Sequence, residues 1–184
     1  MRDLARLLLA LAIGLLAACA GPMPTPTPLP LPTDVPTPSV PMQPYASGAF
    51  TINYPADWIA DEAEDGTAGE VFFGPHRASR SLAMVVRPLG QVQRAPDALL
   101  DAYRRTSRAR EPGVAYSEDR ADAPQGGRSD FYQVVREAQP LQYRVTFFVQ
   151  DEMGYRVLQW APVAEWDHKW SVLFETMLKG FAVR

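Results

Sequence analysis

Leu141-Gln142-Tyr143-Arg144-Val145-Thr146-Phe147-Phe148-Val149-Gln150 alternates apolar and polar side chains along its length. Leu141, Tyr143, Val145, Phe147 and Val149 fall on one side, and Gln142, Arg144, Thr146 and Gln150 on the other. That period of two predicts a strand with one face on a core. Phe148 breaks the polar side, so part of the second face is also covered. Asp151-Glu152-Met153-Gly154 reads as a turn into a further strand over Tyr155–Ala161. Upstream, Ser129–Glu137 reads as a strand, preceded by the turn Pro124-Gln125-Gly126-Gly127 and a weaker strand around Val114–Arg120. Connections this short favour antiparallel neighbours.

Beyond this block, the spacing predicts a last helix from about Ala164 to Lys179. Trp166, Trp170, Leu173, Phe174, Met177, Leu178 and Phe181 follow one another at helical spacing and make a wide apolar stripe. The stripe reads as core, with Trp170 expected to be as important as its neighbours; a membrane-binding surface is the alternative. Toward the N-terminus, Pro96 sits where a helix can start, because its missing donor costs nothing in the first turn. Leu99, Tyr103 and Thr106 share a face of that helix, Asp101 and Arg105 can pair across one turn, and Glu111-Pro112-Gly113 stops it. Before it come strands at Glu70–Gly74 and Ser81–Arg87, stopped by Gly74-Pro75 and Pro88. Earlier still, Phe50, Ile52 and Tyr54 alternate with Thr51 and Asn53 as far as Pro55. The order is β-β-β-α-β-β-β-β-α, an α+β chain.

The segment Phe50-Thr51-Ile52-Asn53-Tyr54-Pro55-Ala56-Asp57-Trp58 resembles the opening of PsbP-like domains: an aromatic, an alternating strand, Tyr-Pro, then Trp. The later half is similar too, with a strand ending near Trp160 and a helix closing on Met177-Leu178-Lys179-Gly180-Phe181. The resemblance spans roughly residues 48–184. It implies the Mog1/PsbP fold, a central antiparallel sheet of about six to seven strands with helices on both faces (an α/β/α sandwich). It also implies a non-enzymatic role, since the family is known for accessory and assembly proteins of membrane complexes and for bacterial lipoproteins. The photosystem role of its name-giving members does not transfer from fold alone.

The N-terminus carries a different message. Met1–Arg6 holds two arginines, and an apolar run from Leu7 to Ala18 follows, broken only by Gly14. The run has the length of a signal-peptide core and is short for a membrane span, which needs about 20 residues. It ends in Leu16-Ala17-Ala18-Cys19, which resembles the lipobox of bacterial lipoproteins. The resemblance implies cleavage between Ala18 and Cys19 and a lipid on the Cys19 thiol. Cys19 is the chain's only cysteine, so no disulfide is possible within one chain and no thiol remains for catalysis. Residues 20–46 hold ten of the eighteen prolines. Proline removes a donor and fixes φ, so this stretch reads as an extended spacer, reaching roughly 80 Å at about 3.1 Å per residue. A Pro-rich ligand for a partner domain is the sharper alternative. The expected organisation is therefore a signal peptide at 1–18, a lipidated cysteine and linker at 19–46, and a PsbP-like domain at 47–184.

The formal charge is −3, and removal of two arginines and one aspartate with the signal peptide makes the mature chain slightly more negative. Such a mild balance argues against a nucleic-acid partner. No catalytic constellation emerges. His76 and His168 have no histidine or cysteine at metal-ligand spacing and read as surface residues. Asp61-Glu62-Ala63-Glu64-Asp65-Gly66 fails as an EF-hand loop, because Ala63 and Phe72 stand where acidic ligands belong. No Gly-x-Ser-x-Gly elbow occurs, and Gln125-Gly126-Gly127-Arg128 precedes a strand rather than a helix. No metal and no cofactor are expected.

Two features remain as candidate sites. Arg104, Arg105, Arg108 and Arg110 form the only basic cluster, either a solvated helix face or a docking patch for an acidic partner or lipid head groups. An aromatic-lined pocket between sheet and helix is expected near Trp160 or Trp166. The expected function is a membrane-tethered interaction or assembly module outside the cytoplasm, with an envelope protein or complex as partner. A ligand-binding lipoprotein for a lipid, glycan or other small molecule is the alternative, and a hydrolase built on scattered carboxylates a distant third. Ala20 after the cysteine, not aspartate, would permit export to an outer membrane where that retention rule applies.

Overall fold

Alternation, turn chemistry and two apolar helix faces converge on one architecture, seen in a computed structural model. The structure describes residues 40–63, 69–77 and 79–184, all within one unit of the chain, Thr37–Arg184. The signal sequence, Cys19 and most of the linker lie outside the described residues, as do Glu64, Asp65 and Gly66 of the acidic run.

The chain forms β1 (Met42–Ala46), β2 (Phe50–Pro55), β3 (Ile59–Glu62), β4 (Val71–Gly74), β5 (Ala83–Gln91), α1 (Pro96–Arg110), β6 (Ala115–Tyr116), β7 (Ala121–Asp122), β8 (Arg128–Arg136), β9 (Gln139–Gln150), β10 (Met153–Pro162), α2 (Val163–Glu165), α3 (Ser171–Lys179) and β11 (Ala182–Val183). An eight-stranded antiparallel sheet runs β3-β4-β5-β10-β9-β8-β6, with β7 also on β8. A small sheet, β1-β2-β11, lies apart from it. The α+β class and the antiparallel sheet thus stand as expected, with more strands.

The period of two on β9 sorts its side chains between two cores. Val145 and Phe147 join Leu100 of α1 and Tyr132 of β8 in one cluster. Phe148 joins the larger cluster on the other face, with Tyr155, Val157, Phe174, Met177, Leu178 and Phe181. Helices therefore cover both faces. Phe174, Met177, Leu178 and Phe181 are fully buried, each stabilising the fold by about 1.5–3 kcal/mol.

Four details differ from the sequence reading. Met42–Ala46, read as the end of the linker, is β1 and pairs with β2 from Met42↔Pro55 to Ala46↔Thr51. It is an edge strand, where a proline such as Pro44 is tolerated. β5 does not stop at Pro88 but runs to Gln91. Pro88 lies past the end of β4 and beside a register shift at Gly154/Tyr155, so no continuous ladder is broken. Asp101 pairs with Arg120 of the loop before β7, not with Arg105. Finally, the last helix is interrupted. Trp166–Trp170 forms a π-helical turn closed by Ser171 N–H donating to the Trp166 carbonyl. The wider turn leaves Trp170 at the rim of the core: Trp166 is buried, whereas Trp170 is half-buried and packs on the cluster through Trp58 at 6.4 Å.

Candidate functional site

A cleft of about 910 Å³ opens on the α3 face of the sheet. Its floor is made by two cross-strand pairs, Phe131↔Arg144 and Gln133↔Gln142 of β8 and β9. One wall is the outer side of α3 with Val172, Glu175, Thr176 and Lys179, continued by Trp166 and Asp167 of the π-helical turn. The other is Ala115–Ser117 at β6. π-helical turns gather at functional sites because they redirect side chains, and this one aims Trp166 edge-to-face at Phe131, 6.5 Å away at 87°.

Arg144 is the unusual group on that floor. Its side chain is only 7% exposed. Nε donates to Ser129 Oγ at 3.0 Å, and Ser129 is itself fully buried and hydrogen-bonded to Thr146 Oγ1 at 2.8 Å. Nη1 donates to Glu175 Oε2 at 2.7 Å. The guanidinium lies 5.5 Å from the Phe131 ring centre. Nη2 has no hydrogen-bond partner among the described residues and is not sealed from solvent, and Arg144 lines the cleft, so the Nη2 donors open onto it. A buried arginine gripped on one edge and free on another is preorganised to receive an oxyanion.

The sheet's other face carries an aromatic row. Tyr116, Tyr132, Tyr143 and Trp160 stand opposite one another across β6, β8, β9 and β10. Successive ring centres are 5.0, 5.0 and 5.8 Å apart. Tyr132 is buried, its hydroxyl 2.8 Å from that of Tyr103, and burial first, then Tyr103, pushes its phenol above the ordinary range. Beside the row lie two smaller clefts of about 620 and 650 Å³, which share Arg136, Tyr143 and Trp160. Trp160 and Trp166, each a place where a pocket is expected, stand on opposite faces of the sheet, Trp160 in the two smaller clefts and Trp166 in the larger one. Trp160 shares its face of β10 with Leu158, which packs on the α1 side, whereas Trp166 belongs to the core under α3.

The arginine cluster also divides. Arg104 is held by Asp130 of β8, through Nε–Oδ2 at 2.9 Å and Nη2–Oδ1 at 2.7 Å, so it is a structural cation and not part of a free patch. Arg105, Arg108 and Arg110 are exposed. Arg108 lies 5.3 Å from the Tyr116 ring centre, and Arg110 reaches the cleft beside Tyr143 and Trp160. His76 and His168 are exposed, and among the described residues no three His, Cys, Asp or Glu side chains come together as metal ligands. Cys19, the expected lipidation and cleavage site, lies outside the described residues.

The sequence reading puts Arg144 on the polar side of β9 and takes from Phe148 that part of that side is covered, but it does not single out Arg144. The missing step is that an arginine on a covered face needs internal partners.

No protein-family model matches the sequence, and no curated protein matches it either. Among solved structures, the chain is similar to cyanobacterial PsbP (CyanoP) from Synechocystis sp. PCC 6803, at 15% identity and a TM-score of 0.58, covering 89% of this chain and 100% of that one. LpqN, involved in cell envelope biogenesis of Mycobacterium tuberculosis, matches at 9% identity and a TM-score of 0.47, covering 78% of this chain and 90% of that one. A Pseudomonas aeruginosa protein of unknown function matches at 19% and 0.44, covering 73% and 94%. No conclusion rests on the last two. The first establishes a PsbP-like fold, which is what the Phe50–Trp58 opening implied.

Proposed function

We propose that this chain is a lipid-anchored protein of a bacterial envelope, held at the cell membrane or an outer membrane, whose PsbP-like domain works outside the cytoplasm by binding rather than turnover. The observation that carries the reading is the joining of a lipobox-like Leu16-Ala17-Ala18-Cys19 to a PsbP-like fold through a proline-rich stretch. An anchor and a spacer serve a protein that must reach something near a membrane, and stable attachment takes more than one acyl chain. The partner is an envelope protein or complex. A second reading, a ligand-binding lipoprotein, is favoured by the cleft at Arg144.

In-cell crosslinking and pull-down of the full-length chain, with Cys19→Ser as control, tests this. One dominant envelope complex, recovered only with Cys19 intact, is the expected result. No enriched protein in either sample would remove the assembly reading and leave the ligand-binding one.

A further inference from the structure

We infer that the α3-face cleft is a receptor for a carboxylate carried on a small apolar body, with Arg144 as the receptor and Glu175 as a displaceable internal plug. The inference deepens the ligand-binding reading given above, on which it rests, and depends on neither the tether nor the protein partner.

Arg144 cannot leave: its side chain is 7% exposed, and Ser129 holds Nε from below. Glu175 can: its side chain is 37% exposed on the outer side of α3 and can turn to water. A buried guanidinium needs an anion close by, and losing one without replacement is strongly unfavourable. An incoming carboxylate replaces Glu175 at little cost, because the released glutamate regains solvent while Arg144 keeps a partner. The free Nη2 offers the second prong that Glu175 leaves unused, so a ligand can be gripped by Nη1 and Nη2 together. Lys179, one turn beyond Glu175, also lines the cleft and has no ion-pair partner among the described residues. Phe131, Trp166 and Val172 supply the apolar wall. A volume of about 910 Å³ lies within the roughly 300–1,000 Å³ usual for small-molecule sites.

The experiment uses the full-length chain in detergent micelles with ¹⁵N-labelled arginine. Benzoate, acetate and inorganic phosphate are each titrated while the Arg144 side-chain resonances are followed. Benzoate should shift them saturably and bind more tightly than acetate, with phosphate weaker than benzoate. Glu175→Gln removes the plug from a solvent-facing position and should tighten benzoate binding about tenfold. Lys179→Ala should weaken it, and Arg144→Gln should abolish it. Unchanged or weaker benzoate binding in Glu175→Gln overturns the proposal whatever the stability of Arg144→Gln. Binding of phosphate without either carboxylate overturns it as well. Neither failure touches the pull-down outcome, which reads the anchor and a protein partner.

Discussion

Arg104 of α1 grips the carboxylate of Asp130 on β8 with two prongs, at 2.9 and 2.7 Å, and Asp130 is wholly buried. This pair ties the helix to the sheet, and Arg104 also reaches the Ser117 carbonyl at 3.1 Å. Removing one partner of a buried pair strands the other. Arg104→Ala should lower the unfolding free energy by about 3–5 kcal/mol in urea titrations, whereas Arg105→Ala on the exposed face should change it by less than about 0.5 kcal/mol. Equal effects of the two substitutions would refute the division of the cluster.

The hairpin from β8 to β9 turns on Glu137 and Ala138, both with positive φ (50° and 66°). Side chains disfavour that region by about 1–2 kcal/mol, and glycine gives back part of the gain through its freer unfolded chain. Ala138→Gly should raise stability by about 0.5–1 kcal/mol and the melting temperature by a few degrees, about 2–4 °C per kcal/mol. A lower melting temperature would show that this turn is not under backbone strain.

Gly127 faces the ring of Phe148, so a Cβ there would stand 2.6 Å from its nearest carbon. The ring cannot retreat freely, since it packs against Phe181, tilted by 30° with ring centres 4.9 Å apart, in the core under α3. Gly127→Ala should cost about 1–3 kcal/mol by overpacking. The pair Gly127→Ala with Phe148→Leu should recover part of that loss; purely additive losses would argue against the contact.

Burial is the largest cause raising the phenols of Tyr116, Tyr132 and Tyr143 above their ordinary value of 10.0. A raised folded pKa gives stability that is present in full below pH 10.0 and lost as pH rises through the folded values. Urea midpoints should therefore hold between about pH 7 and about pH 9 and fall above about pH 10. Tyr132→Phe should flatten that fall. A profile with the same slope in wild type and variant would mean that Tyr132 ionises no differently in the folded state.

Much of this fold is legible because its strands follow period two and end at turns. β9 and β10 emerge near their observed limits, and α1 begins at Pro96 as its proline indicates. Other features needed a partner far away in sequence. β3 and β11 are four and two residues long, too short for periodicity, and exist because β4 and β2 offer them edges. The π-helical turn is equally hidden, since a helical wheel assumes an even 100° per residue and one wide turn shifts everything before it. That is why Trp170 reads as the equal of Trp166 and not as the rim of the core. Of the cleft, Trp166 is one of two positions near which the sequence suggests a pocket, whereas the Arg144 floor requires knowing which helix covers the polar side of β9 and which of its side chains meet Arg144.

The strand order carries a consequence for how the chain reaches its final state. β10, from the last third of the sequence, sits between β5 and β9, and β2 gains its second neighbour only when Ala182 and Val183 arrive. The blocks β3-β4-β5 and β8-β9-β10 can each zip locally, as can β1 with β2, but β5 must wait for β10 and β2 for β11, and such non-local closure is slow. A chain emerging from its N-terminus therefore leaves one edge of β5 and one edge of β2 open until β10 and β11 follow, and open edges of this kind invite edge-to-edge pairing.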